Sequence, residues 1–110
     1  MRLADRFNIK QLIPERADQL SFHMSSQDYV RIEFHNFSPG QSHAFSFDGN
    51  VILTCYRGAF RLTLGSDEQA LLEFDQIVVV PATPVRLECE SAGTVQFIWS
   101  PPFAKTSAIA

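Results

Sequence analysis

The sequence lacks the runs that mark several whole classes of protein. No apolar stretch approaches the roughly 20 residues that a membrane-spanning helix needs; the longest, Ile77–Val80, is strand-sized. No basic run exists, and 9 basic residues against 12 acidic ones leave a net charge of −3. A nucleic-acid binder needs a positive face for phosphates, so that class is set aside. The opening residues MRLADRFNIKQL contain no uninterrupted apolar segment of the secretory kind, which makes a cytoplasmic location the expectation. Cysteine is scarce. Cys55 and Cys89 both sit in apolar runs, and in a cytosolic protein they read as two buried thiols rather than a disulfide. There is no internal repeat, no low-complexity tract and no helical periodicity lasting three turns.

What is present is β patterning. Ten of the 110 residues are Phe, 45% are hydrophobic and 19% are charged. That mix is globular and leans toward pleated, half-buried surfaces. Asp28–Phe37 alternates, with Val30, Ile32 and Phe34 on one face and Arg31, Glu33 and His35 on the other, the sign of a strand with one face buried. Ser38-Pro39-Gly40 ends it. His43–Phe47 is a short strand and Asp48-Gly49-Asn50 a turn. Val51–Tyr56 and Ala59–Leu64 read as two strands joined by a tight hairpin loop at Arg57-Gly58. Gln69–Phe74 and Ile77–Val80 follow, closed by Pro81 and Pro84. Val85–Glu90 and Thr94–Ser100 are separated by a turn at Ser91-Ala92-Gly93, and Pro101-Pro102 stops the last strand.

These segments recur every 8–12 residues or so, the spacing of a sandwich or closed barrel. With no helices to cover a sheet, the apolar faces must cover each other. One all-β domain over residues 1–110 is therefore expected. Its first 27 residues form edge strands (Ile9–Leu12, Leu20–Met24) or an arm with a helical turn at Glu15–Gln19, and residues 103–110 form a flexible tail.

The order of features resembles a small single-domain cupin over about residues 28–102: an antiparallel jelly-roll barrel, or double-stranded β-helix. The carrying pieces are Tyr56-Arg57-Gly58 after an apolar strand and FDQIVVVPATPVR, residues 74–86, which echoes the family's second motif. The resemblance also implies where a divalent metal would sit, and there the sequence departs from it. Counting back from Gly58 puts Phe45, Phe47 and Val51 at the ligand positions of the first motif; counting forward from Gly40 puts Ser46 and Asp48 there. Arg86 replaces the histidine of the second motif, and a guanidinium does not coordinate a cation. The resemblance thus implies the fold without the metal, and no cofactor is expected.

Two readings of the interior remain open. In the cupin register Phe45, Phe47, Val51, Leu53 and Cys55 point inward with Phe97 and Trp99, either lining an apolar ligand pocket or filling the barrel completely. Arg86 faces the same choice. The cupin register turns it inward, where it would anchor a ligand carboxylate. Plain alternation puts Val85, Leu87 and Cys89 inside and Arg86, Glu88 and Glu90 outside, which avoids burying three charges. His23, His35 and His43 show no spacing that brings two rings to one metal from a single element, so they read as separate surface or rim residues unless tertiary assembly gathers them. Asp48, Asp67 and Asp75 fall at turns and read as structural.

Three functions follow from this. The chain is a metal-free small-molecule binder or sensor; or a divergent enzyme, metal-dependent or isomerase-like, acting on a small organic acid or sugar; or an interaction module. A homodimer is compatible with all three, because Val51–Tyr56 and Ile77–Val80 are apolar on both faces and need cover on both.

Overall fold

A computed structural model describes residues 8–15, 21–26, 30–100 and 105–109, with the backbone alone for 21–26 and 105–109. One short helix, α1 (Ile9–Glu15), precedes eight strands: β1 (Ser21–Ser26), β2 (Arg31–Phe37), β3 (Ser42–Phe47), β4 (Val51–Leu64), β5 (Asp67–Leu71), β6 (Gln76–Val79), β7 (Val85–Trp99) and β8 (Lys105–Ile109). All pairings are antiparallel. The chain is an all-β jelly roll.

Two strands are far longer than the pattern of turns suggests. Arg57-Gly58 is not a hairpin and Ser91-Ala92-Gly93 is not a turn between strands. Each is a bend inside a single strand, β4 or β7, and the two strands pair along their whole length from Val51↔Trp99 to Leu64↔Val85. The register slips at the bend, between Cys55 and Phe60, as bulges do where a sheet turns a corner. The first half of β4 and the second half of β7 form one sheet with β6, β2 and β1. The other halves form the opposing sheet with β5, β3 and β8.

The bend requires close backbone approach. A Cβ on Gly93 would lie 2.2 Å from the Arg57 carbonyl oxygen, and one on Gly58 would lie 2.6 Å from the Gly93 Cα. Gly58 also has φ +89°. Glycine stands at both places because the two strands cross with no room for a side chain.

Both ends of the chain differ from expectation. Ile9–Leu12 is helical, not an edge strand: Asn8 caps the turn, its Oδ1 accepting from the Gln11 amide at 3.0 Å. The tail expected at 103–110 contains β8, which pairs with β3 from His43↔Ile109 to Phe47↔Lys105. The expected strand at Leu20–Met24 is β1. The helical turn proposed for Glu15–Gln19 falls largely outside the described residues.

The core between the sheets is built of Phe37, Phe45, Phe47, Val51, Leu53, Cys55, Phe60, Leu62, Val85, Leu87, Phe97 and Trp99, each under 4% exposed, among others. Phe97 meets Phe45 at 4.5 Å between ring centroids and Phe47 at 5.4 Å, and Phe47 meets Trp99 at 5.4 Å. Among the described residues, no helix is long and apolar enough to cross a membrane.

Candidate functional site

Directly opposed residues in an antiparallel pair point to the same face. That rule aligns the inward positions of the first sheet in rows: Cys55, Val95 and His35; Leu53, Phe97 and Glu33; Val51, Trp99 and Arg31. The charged face of β2 is therefore its inner one. Phe34, on the other side, is also fully buried and lies against the Tyr56 ring at 5.8 Å. Alternation in β2 showed two faces but not which one met the core, because both are covered. His35, expected at the surface or rim, is 6% exposed, and His43, on β3, is 2% exposed.

Tertiary structure brings these two histidines together. Their ring centroids are 5.9 Å apart, edge to face. His35 also meets Phe45 at 5.3 Å and Phe97 at 5.0 Å, and His43 meets Phe37 at 4.5 Å. The Nε2 of His35 is held by Glu33 Oε1, and Glu33 is 4% exposed. That contact fixes the ring and leaves Nδ1 pointing away from Glu33. Among the described residues, neither His35 Nδ1 nor His43 Nε2 has a hydrogen-bonding partner, though both atoms are buried. Leaving a buried polar atom unsatisfied costs about 1–3 kcal/mol, so two such atoms within one cluster call for an explanation.

The sequence pattern places Glu33 on the polar face of its strand but assigns it no part in a site. The signal that could have found it is the Glu33-x-His35 spacing, which places carboxylate and imidazole on one face of a strand.

The remaining residues singled out from sequence divide cleanly. Phe45, Phe47, Val51, Leu53, Cys55, Phe97 and Trp99 do come together as the buried centre. Arg86 does not join them: it is exposed, on the outer face, opposite Ala44 and Thr63. Val85, Leu87 and Cys89 take the inner positions at 2% exposure or less, because hydrocarbon enters the core without the desolvation that a guanidinium would suffer. Of His23, only the backbone register is described, opposite Glu33 on β1.

The donor set does not fit a metal at the positions the cupin register implies. Phe45, Phe47 and Val51 are buried and apolar, and Asp48 and Arg86 are exposed. Among the described residues, no three His, Cys, Asp or Glu side chains are grouped to hold an ion. Thiolate chemistry is also disfavoured. Cys55 and Cys89 are free and buried, and burial pushes the Cys55 thiol up to about 11 and raises Cys89 as well, so both are protonated near neutrality.

Burial, and then the neighbouring His35, lower the pKa of His43. Folding therefore favours the neutral ring. Its contribution to stability is complete above the unfolded value of 6.5 and is lost as pH falls from there through the lower folded value. His43→Phe puts hydrocarbon in the same ring stack. We expect its unfolding midpoint to lose less between pH 7 and pH 5 than the wild type does, with equal or higher stability at pH 7. Urea titrations at the two pH values check this, and equal acid sensitivity in both proteins would refute it.

No family model matches the sequence, and no curated protein does. Solved structures do match. A cupin superfamily protein from Desulfitobacterium hafniense DCB-2 superposes with a TM-score of 0.74 at 19% identity, over 91% of this chain and 94% of that one. An RmlC-like cupin from Shewanella frigidimarina NCIMB 400 gives 0.68 at 15% identity, over 74% of each chain. Salicylate 1,2-dioxygenase from Pseudoaminobacter salicylatoxidans, with gentisate bound, gives 0.70 at 18% identity; 91% of this chain is covered, but only 33% of the dioxygenase, so this chain spans about a third of that protein. Strand order, the bent β4–β7 pair and these superpositions agree: the chain has the cupin fold.

Proposed function

We propose that the chain is a metal-free small-molecule binding protein whose ligand is a small aromatic hydroxy acid, held at the His35–His43 pair. The observation that carries this reading is the two buried imidazole nitrogens that have no partner among the described residues, set in a wall of Phe37, Phe45 and Phe97 rings. Binding sites of this kind are mostly apolar, with a few polar atoms that fix orientation. With Nε2 held by Glu33, His35 offers Nδ1 to a polar group of the ligand. Adjacent hydroxyl and carboxyl groups on one ring would meet both histidines. The dioxygenase of the same fold, solved with gentisate, makes salicylate and gentisate sensible probes, and benzoate the control without a hydroxyl.

The test is a thermal-shift and calorimetric titration of the untagged protein. Ligand at ten times its Kd adds about 1.4 kcal/mol to stability, which raises Tm by about 5 °C or more for a chain of this size. We expect salicylate or gentisate to do this and His43→Phe to abolish it. If neither probe shifts Tm at millimolar concentration, the reading fails. Elemental analysis separates it from the divergent-enzyme alternative: less than a tenth of an equivalent of any transition metal is expected, and a stoichiometric metal would favour the enzyme.

A homodimer is part of the same proposal. Ile32, Ile98, Ile52 and Val78 form one row across the outer face of the first sheet, and Val78 and Val80 are 66% and 65% exposed. Among the described residues, no carboxylate or ammonium occupies an outward position on the parts of those strands that belong to this sheet (31–37, 51–56, 76–79 and 93–99), and only Arg57, at the bend, brings a charge there. The opposing sheet's outer face carries Arg61, Arg86, Glu68 and Glu90 instead, as a solvated face does. An uncharged face can meet its own copy without like-charge repulsion. Light scattering should give twice the 12.4 kDa chain mass and Val78→Lys should halve it; a monomer at tens of micromolar would exclude the dimer.

A further inference from the structure

We propose a second binding site, on the outside of the barrel, for a small monocarboxylate with an aliphatic body. It lies in a cleft of about 530 Å³ between α1 and the bend of β4. Ile9 and Ile13 of the helix and the ring of Phe74 supply its apolar lining. This site does not rest on the His35–His43 reading. Tyr56 and Arg57, which line the cleft, bond to Gln96 and Thr94 on the outer face of the sheet, whereas the two histidines lie among the core rings inside it.

Three observations converge on the cleft. The first is Phe74. It is 73% exposed, so core packing does not explain the ring, and its backbone has φ +69°, a region that residues other than glycine adopt only when their surroundings enforce it. Here they do. The Phe74 amide donates to the Cys55 carbonyl at 2.7 Å and the Asp75 amide to the Leu72 carbonyl at 2.9 Å, while Asp75 Oδ2 accepts from the Leu72 amide at 2.8 Å. The turn is fastened to β4 in a conformation that holds a phenyl ring out beside the cleft. Strain of this sort concentrates at ligand clamps.

The second is Arg57. Its Nε donates to Thr94 Oγ1 at 2.9 Å, and Thr94 donates in turn to Asn36 Oδ1 at 2.7 Å. Thr94 and Asn36 are 0% and 8% exposed. The guanidinium is thus anchored by a buried chain through one nitrogen, and its two terminal nitrogens retain the fork geometry that matches a carboxylate. The third is charge. Lys10 and Arg57 against Glu73 give the cleft one net positive charge in a chain whose net charge is −3. An apolar cleft with a fixed cation at one side fits an amphipathic anion, and its volume lies within the range of small-molecule sites.

Isothermal titration of the full chain with octanoate, octanol and octylamine tests this. Octanoate should bind with a Kd below a millimolar, at least tenfold tighter than octanol, and octylamine should not bind. Arg57→Gln should weaken octanoate tenfold or more. Phe74→Gly is the sharper variant, because glycine accepts the positive φ: it should keep or raise Tm while weakening octanoate several-fold. His43→Phe should leave octanoate binding unchanged, which separates this site from the interior one. No octanoate binding at millimolar concentration, equal affinity for octanol, or full affinity in either Arg57→Gln or Phe74→Gly would overturn the proposal.

Discussion

Gly93→Ala should leave the protein barely folded or unfolded. The added Cβ would sit 2.2 Å from the Arg57 carbonyl oxygen and 2.9 Å from the Gly58 Cα. Both are backbone atoms of the facing strand, so no side chain can swing aside to relieve the clash. Relief requires β4 and β7 to separate at the bend where each passes from one sheet to the other, and those strands form the longest pairing in the molecule. We expect a loss on the order of 4 kcal/mol or more, in the range reserved for core cavities and backbone clashes and a large share of the 5–15 kcal/mol that holds an ordinary domain together. Gly58→Ala should behave alike, with its Cβ 2.6 Å from both the Gly93 Cα and the Ser91 oxygen. Gly40 is the control. It too has a positive φ, +83°, but no atom lies within 4 Å of a Cβ built there. Gly40→Ala should cost only about 1–2 kcal/mol, the ordinary penalty of a left-handed non-glycine residue. Urea midpoints for the three variants decide the matter. Similar losses for Gly93→Ala and Gly40→Ala would show that conformation, not contact, explains these glycines.

Phe97→Ala should cost about 3–5 kcal/mol. Phe97 is fully buried and is the ring on which the interior converges, meeting Phe45, Phe47 and His35 at 4.5, 5.4 and 5.0 Å. Its partners belong to strands β2 and β3, which are pinned by their own hydrogen bonds to β7, so the site cannot collapse onto the vacancy and most of the cavity cost should remain. A cavity lined by aromatic rings is apolar and receives small aromatic molecules. Phenol should therefore raise the Tm of Phe97→Ala more than that of the wild type. A loss below about 1.5 kcal/mol would mean the centre is loosely packed rather than ring against ring. The same variant leaves His43 in place, so together with His43→Phe it separates the volume of the interior from its polar contacts.

Much of the fold was legible in the chain. The β segments read between residues 28 and 100 each reappear as a strand or part of one, although Gln69–Phe74 is displaced to Asp67–Leu71 and Ile9–Leu12 is helical, and Pro39-Gly40 and Asp48-Gly49-Asn50 do divide strands. The buried centre of Phe45, Phe47, Leu53, Phe97 and Trp99 was also legible, because long apolar residues at period two have no other place to go. Two glycines were misread as turns for a physical reason: local sequence shows that a Cβ is absent, not whether the space serves a reversal of the chain or a crossing strand. Gly58 and Gly93 lie 35 positions apart in sequence and only their pairing reveals the second use.

The sequence by itself determined that this chain is built of antiparallel strands around a Phe-rich interior, and that the positions where related barrels would keep metal ligands hold hydrocarbon or unsuited side chains. Both conclusions depend on residue type and local period. Only the tertiary structure decided that Glu33 and His35 face inward, that His43 joins them from β3, that Arg86 faces out, and that α1 and Phe74 enclose a cleft beside Arg57. A strand's alternation fixes two faces and is silent on which is inside. That choice belongs to whatever packs against the strand, and here it is made by elements far away in sequence.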